Sequence, residues 1–330
     1  MTMPNGSLFA GIDLGGTNIN GALGDASGTL LRQEKIPTLA HEGQEAVIGR
    51  IASLIERMAE REGRTPEALG LGVPGLVDLK SGVTRFLPNL PTQWRDVPLA
   101  AILEKRLGCR VYLLNDARAA ALGESMFGHG RDAQTMVLYT LGTGVGGGIV
   151  IDGRLHLGPL GAAGEIGHIC VQPDGPWCSC GSRGCLETFV SGPALTAEGV
   201  RLFASGNAVH LVEICKGDIG RVSPETLGKA AVAGDPGARA VIERAGGLLG
   251  LAASGLVLAL HPDIIVLGGG VAALGDLLIS PMRRAIESRV CMFPVDGVRI
   301  ERSLLGENAG VYGGIAAALQ GGVKSGPSAT

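Results

Sequence analysis

The chain has 330 residues, room for two domains of ordinary size, and carries a formal net charge of −3. With an isoelectric point near 6.1 it offers no broad basic face for nucleic acid. Its 55 glycines show neither a collagen period nor a low-complexity tract; they cluster between apolar runs, where tight turns and backbone contacts with ligands are expected.

Residues 1–7 are polar and lack the basic start and apolar core of a secretory signal. Apolar strands are expected over 8–13 and 19–24, a hairpin about the glycine turn between them. A helix follows over 44–61, then a short strand over 69–73 closed by Pro74-Gly75. Next come a helix over 99–107, a strand over 110–114 ending at Asn115-Asp116, and a helix over 117–127. A polar, glycine-containing stretch at 128–132 is the expected domain boundary. The second half opens as the first does, with a strand over 135–140, a glycine turn over 141–148 and a strand over 149–151, an internal repeat of architecture rather than sequence. Helices over 226–233 and 236–259, a strand over 264–267 and helices over 277–289 and 309–319 complete the pattern, with a frayed tail at 321–330. Alternating elements of this kind make an α/β fold with a mixed sheet. The most apolar run, 248–260, is too short to span a bilayer and reads as a buried helix. Free thiols without an export signal point to the cytoplasm.

Three glycine clusters lie at strand ends. In Asp13-Leu-Gly-Gly-Thr-Asn18, consecutive backbone N–H groups suit phosphate oxygens, Thr17 adds a hydroxyl, and Asp13 would hold magnesium directly or through water. Gly142-Thr-Gly-Val-Gly-Gly-Gly148 and Gly268-Gly-Gly270 offer two more cradles. A Walker loop would need a Gly-Lys-Ser/Thr run, absent here, and a dinucleotide fingerprint would lead into a helix, whereas both turns lead into strands. Asp116, at the carboxyl end of a strand, is the candidate general base; the alternative is that it caps the helix starting at Ala117.

The densest chemistry is Glu165-Ile-Gly-His168 followed by Cys178-Ser-Cys180-Gly-Ser-Arg-Gly-Cys185-Leu-Glu187. One histidine and three cysteines form a tetrahedral zinc set. A Cys178–Cys180 disulfide is geometrically poor, though Cys185 could bridge either of them. Cys109, Cys170, Cys215 and Cys291 are expected to be buried unpaired thiols. The two glutamates remain available for a ligand.

Taken in order over about 8–319, these motifs resemble the ROK family of sugar kinases and repressors, within the actin-like ATPase superfamily. The resemblance implies a two-domain actin-like (ribonuclease H-like) α/β fold with a ligand cleft between domains. Its small domain would cover 1–130 with the C-terminal helix 309–320, and its large domain 131–308. It implies phosphorylation of a hexose at the 6-hydroxyl, with Asp116 taking the proton. Asn89, Asn115, Glu165, His168 and Glu187 would bind the sugar, His168 giving its other ring nitrogen to a structural zinc with Cys178, Cys180 and Cys185. Gly15, Gly16, Thr17 and Asn18, with Gly142, Thr143, Gly144, Gly146 and Gly147, would bind ATP phosphates, and Gly268, Gly269 and Gly270 the nucleoside side. ATP and Mg2+ are thus the expected cofactors beside zinc, and a homodimer the expected assembly. The 89–96 segment looks most like that of members acting on glucose; N-acetylglucosamine, N-acetylmannosamine, mannose and fructose are the alternatives. A sugar-sensing repressor is disfavoured because Asp13 leaves no room before it for a helix-turn-helix. Arg118 departs from the small polar residue many relatives carry, which would change local packing or helix charge rather than the base.

Overall fold

The computed structural model describes residues 6–87 and 90–323, with only the backbone of Thr92. Contacts divide the chain into two compact units, one of Met1–Gln134, Gly148–Gly164 and Ser303–Thr330, the other of Thr135–Gly147 and Glu165–Arg302.

In the first unit, β1 (Phe9–Leu14), β2 (Asn18–Gly24), β3 (Leu30–Pro37), β4 (Ala68–Val73) and β7 (Arg110–Asn115) form a sheet of order β3-β2-β1-β4-β7. β2 runs antiparallel to β1 and β3, while β4 is parallel to both β1 and β7. β1 and β4 are apolar on both faces and central; β3 alternates half-buried and exposed residues, the signature of an edge strand. A small hairpin pairs β5 (Leu76–Asp78) with β6 (Val83–Phe86). Helix α1 (Gln44–Glu62) buries Val47, Ile48, Ile51, Leu54, Ile55 and Met58, a stripe at helical spacing, and stops at Gly63 in the left-handed region. α2 (Leu99–Leu107) and α3 (Asp116–Phe127) flank β7. The chain's last helix, Ala309–Leu319, packs on α3, β1 and β4. Only glycines permit that approach: a Cβ on Gly70 would lie 1.9 Å from Gly314 O, and one on Gly313 1.7 Å from Ala119 O.

A second sheet has the same plan, β10-β9-β8-β11-β12, built from β8 (Met136–Leu141), β9 (Val145–Ile151), β10 (Arg154–Leu155), β11 (Ile264–Gly268) and β12 (Arg299–Arg302). β8, β11 and β12 are parallel, and β8–β9 is the hairpin. The expected repeat of strand, glycine turn and strand is therefore a repeat of whole sheets. The second glycine turn is shorter than expected: β9 begins at Val145, so Gly146, Gly147 and Gly148 lie in the strand. They are small because neighbours press on them; a Cβ on Gly147 would meet the Ile166 side chain at 2.4 Å. Helices α4 (Glu187–Val190), α5 (Gly192–Ala204), α6 (Val209–Ile214), α7 (Pro224–Val232), α8 (Pro236–Leu260) and α9 (Asp276–Arg289) fill the second unit; the chain's last helix is α10. At 25 residues α8 is long and apolar enough to cross a bilayer, contrary to the expectation from 248–260 alone. Half of its most apolar window is buried, and it locks against α9, where a Cβ on Gly250 would sit 2.4 Å from Met282 O. It is a core helix by its packing.

Candidate active site

The first glycine turn is the three-residue link Gly15-Gly16-Thr17 between β1 and β2, closed by Gly15 N–H to Asn18 O at 2.9 Å. Thr38, fully buried just past β3, holds it from below: its hydroxyl donates to Gly15 O at 2.7 Å and its N–H to Thr17 O at 2.8 Å. Asp13 lies on β1 opposite Asn20 and against α10, where a Cβ on Gly310 would come within 2.7 Å of its carboxyl carbon. Burial pushes the Asp13 carboxyl above its usual range, against the opposing hydrogen bond from Asn20 and the charge of Lys35.

At the end of β7, Asn115 is the N-cap of α3. Its Oδ1 accepts from Ala117 N–H at 3.1 Å, Arg118 N–H at 3.2 Å and Arg118 Nη1 at 3.0 Å, while Nδ2 donates to Gly75 O at 3.2 Å. Capping is therefore the work of Asn115, and Asp116 is the first residue of the helix, its Oδ1 2.8 Å from Ala117 N. The alternative that Asp116 is the cap is corrected by this geometry.

In the second unit, Gly142 N–H donates to Gly144 O at 2.9 Å, and Gly192 N–H, the first of α5, donates to Gly142 O at 2.7 Å. The positive end of α5 is thus tied to the turn, with Ser191 as its cap. Glu187 braces the other side, its Oε2 accepting from Val145 N–H at 2.9 Å; a Cβ on Gly144 would lie 2.5 Å from that oxygen. The third glycine cluster comes to the same place. Gly268 ends β11, and Gly269, at φ 84°, approaches so closely that a Cβ would be 2.4 Å from Leu141 O.

His168, Cys178, Cys180 and Cys185 converge, their donor atoms all within 4.8 Å of one another. Cys180 Sγ is 3.7 Å from Cys185 Sγ, and Cys178 Sγ is 3.5 Å from His168 Nδ1. Zinc bonds of about 2.3 Å to sulfur and 2.0–2.1 Å to nitrogen, set at tetrahedral angles, require edges of roughly 3.8 and 3.6 Å. The donor set therefore fits a tetrahedral metal through Nδ1, and Nε2 points the other way, 3.9 Å from Glu165 Oε2. Glu187 Oε1 closes the group, 3.7 Å from Cys178 Sγ and 3.4 Å from Ser179 Oγ. Without metal, burial pushes the Cys185 thiol up to about 12 and Cys178 upward as well, whereas the Ser182 N–H lowers Cys180. Metal binding would release protons from the first two.

The chain matches the ROK family over residues 9–321. It belongs to the ROK family. It is 38% identical over 314 residues to a glucokinase of Thermotoga maritima, covering 94% of this chain and 96% of that protein. It is 33% identical over 318 residues to a putative xylose repressor of Caldicellulosiruptor, covering 94% of this chain and 78% of the repressor. A ROK family glucokinase from Streptomyces griseus, solved with glucose and AMPPNP, superposes with a TM-score of 0.82 at 34% identity, covering 95% of this chain and 100% of that one. The actin-like fold expected of a ROK protein is the fold observed, with the twice-repeated strand order as its basis.

The ROK motifs sort by unit. Asp13, the 15–18 turn, Asn115 and Asp116 gather in the first; the 142–144 turn, Glu165, His168, Glu187, the three cysteines and Gly268–Gly270 gather in the second. Asn89 lies outside the described residues, as does most of the 321–330 tail. Cys170 and Cys291 are exposed rather than buried, because each sits in a loop; Cys215 is buried and Cys109 half-buried. Thr38 and the N-terminus of α5 were not foreseen. Both brace a glycine turn, and neither has a signal of its own beyond Pro37-Thr38 closing a strand and Ser191-Gly-Pro193 opening a helix.

Proposed function

We propose that the protein transfers the γ-phosphoryl group of ATP to the 6-hydroxyl of glucose. The observation that carries this reading is the Asn115-Asp116 pair: Asn115 caps α3, so Asp116 stands at the end of β7 as the acceptor for the hydroxyl proton. Likeness to proteins named glucokinase, one solved with glucose and an ATP analogue, supports the choice of sugar and donor. Asp116 takes the proton as the sugar oxygen attacks the γ-phosphorus, and ADP leaves. By resemblance to the family, Glu165, the Nε2 side of His168 and Glu187 would meet the remaining hydroxyls. Asn115 Oδ1 already accepts three N–H bonds, so only its Nδ2 can serve the sugar. The N–H groups of 15–18 and 142–144, with the positive end of α5, take phosphate oxygens; Gly268–Gly270 serves the nucleoside side. Zinc on His168 Nδ1 and the three thiolates would supply a rigid brace that fixes the histidine tautomer. Magnesium near Asp13 would neutralise phosphate charge. The resemblance also supports a homodimer, which light scattering would test.

The test is sugar-dependent ADP formation from ATP and magnesium across glucose, mannose, fructose, N-acetylglucosamine and N-acetylmannosamine. Preference for glucose is expected; preference for another sugar changes the substrate and keeps the reaction. A second reading, sugar sensing without transfer, is favoured by the likeness to a repressor. Glucose binding with no ADP formed would select it.

A further inference from the structure

We propose that Arg118 is a positioning residue for the sugar: it fastens the loop leading into Glu165 to the corner that carries Asp116. The inference rests on the sugar-kinase reading for its effect on turnover, and on the structure alone for its effect on the loop.

Arg118 is 1% exposed, among the largest fully buried side chains described. It sits in the first turn of α3, where a cation faces the positive end of the helix dipole. Burying a guanidinium also forfeits its hydration. Two unfavourable terms at one residue require compensation, and the hydrogen bonds supply it. Nε donates to Ala163 O at 3.0 Å, Nη2 to Ala162 O at 2.9 Å and Nη1 to Asn115 Oδ1 at 3.0 Å. The planar fork is what makes two adjacent carbonyls and a third acceptor reachable together, which an ammonium cannot reproduce.

Apart from Arg118, the fastened loop is anchored by the buried Leu157 and by Gly161 lying against Val77 and Leu79 of the small hairpin. It has no helix or strand, and Gly158, Gly161 and Gly164 all take positive φ, at 66°, 72° and 96°. Its own backbone bonds are few: Ala163 N–H to Leu157 O at 3.0 Å and Gly161 N–H to Gly158 O at 3.4 Å. From Ala163 the chain passes through Gly164 directly into Glu165 and, three residues later, His168. One guanidinium therefore holds both the Asn115 amide next to Asp116 and the 162–163 carbonyls, two residues before Glu165 in the chain. The nucleotide turns at 15–18 and 142–144 make none of these bonds.

The test compares Arg118→Asn with wild type by steady-state kinetics and by hydrogen exchange of the 157–165 amides in the ligand-free protein. The expected result is a glucose KM raised about tenfold or more, as slight misplacement of positioning groups produces, with the ATP KM changed less than about twofold. Exchange at 157–165 should accelerate at least about tenfold, since local opening there loses two of its side-chain hydrogen bonds. In Arg118→Ala, millimolar guanidinium should recover part of the glucose KM and slow the exchange, with no such response in wild type. Should Arg118→Asn fail to fold, Arg118→Lys carries the same comparison, with a smaller loop acceleration expected. Unchanged exchange at 157–165, or glucose and ATP KM rising by equal factors, would overturn the proposal. Wild-type protein that phosphorylates no sugar would defeat the sugar-kinase reading instead, and the exchange data would still decide whether Arg118 holds the loop.

Discussion

The two glycine turns occupy the same corner of two sheets of the same strand order, and they are braced by different chemistry. The first leans on Thr38, delivered by β3, an edge strand of eight residues that runs the length of the hairpin. The equivalent second-sheet strand, β10, has two residues and ends before it could deliver anything. There the chain departs into irregular segments instead, and the turn is held by Glu187 and the start of α5, both just beyond the cysteine cluster. Where an edge strand is missing, a carboxylate and a Cys/His cluster whose geometry fits a metal stand in its place. Symmetry of topology therefore does not carry symmetry of support, and the two halves should fail differently when perturbed.

The largest expected difference concerns the proposed proton acceptor, Asp116, which follows the last strand of the first sheet and has no counterpart proposed in the second. Asp116→Asn should lower kcat by about 10²–10⁴, the contribution of a positioned proton acceptor, while glucose affinity measured by calorimetry changes little. Turnover near the wild-type rate would remove Asp116 from its role and leave the first half a binding half only.

Next in size is the metal brace. Cys180→Ser should cut bound zinc from about one per chain toward zero and raise the glucose KM by roughly 10–100-fold, the usual cost of losing what orients a ligand-facing side chain. Metal analysis and kinetics read this directly. Because Glu187 joins the metal group to Val145, the ATP KM should rise as well. If ATP binding were indifferent to metal loss, the link between cluster and second turn would be broken. In the metal-free protein, alkylation should find Cys180 before Cys178 and Cys185, since it is exposed and its thiol is the one lowered.

Much of this contrast was legible in the sequence, and the remainder was hidden for physical reasons. The apolar central strands, the stripe of α1 and the small-residue helix α10 announce themselves because burial imposes a period or a composition. The edge strand Leu30–Pro37 did not, since Leu-Leu-Arg-Gln-Glu-Lys-Ile-Pro carries three charges in eight residues and its inner face is only half-buried. β12, Arg-Ile-Glu-Arg, was missed on the same ground, as were α5, which buries only Leu195 and Gly199, and the six-residue α6, which buries only Leu211. At the site, the cluster of His168, Cys178, Cys180 and Cys185 was legible because few residue types serve a metal and these four lie close in sequence. Thr38 and the three-way grip of Arg118 were not, because each depends on what long-range folding places opposite it.

A smaller effect isolates the first brace. Thr38→Val keeps the shape of the buried side chain and removes the donor to Gly15 O, which should cost roughly 1–3 kcal/mol. Urea unfolding with an unchanged m-value would measure it, and the ATP KM should rise without the glucose KM following. A variant as stable as wild type would mean that the turn is held by its own Gly15–Asn18 bond.

The smallest expected effect tests whether the first corner carries a built-in cost for its ligand. Burial raises the Asp13 carboxyl, so the folded state disfavours the ionised form more than the unfolded state does. Well below the unfolded value, near 3.9 for aspartate, both states keep the proton and nothing is lost. As pH rises through that value the unfolded chain ionises first and folding stability falls, until the pH passes the folded value and the deficit becomes constant. Asp13→Asn removes the charge with little change of shape. The nucleotide-free variant should therefore melt above wild type at pH 8, by a few degrees at most, and the gap should close as the pH is lowered toward 4. A gap that stays the same at both pH values would locate the difference in packing against Gly310 rather than in the charge. A gap of the predicted sign would mean that ionised Asp13 holds the first corner under electrostatic strain, a cost the second glycine turn, braced by Glu187 and the start of α5, does not carry in its own residues.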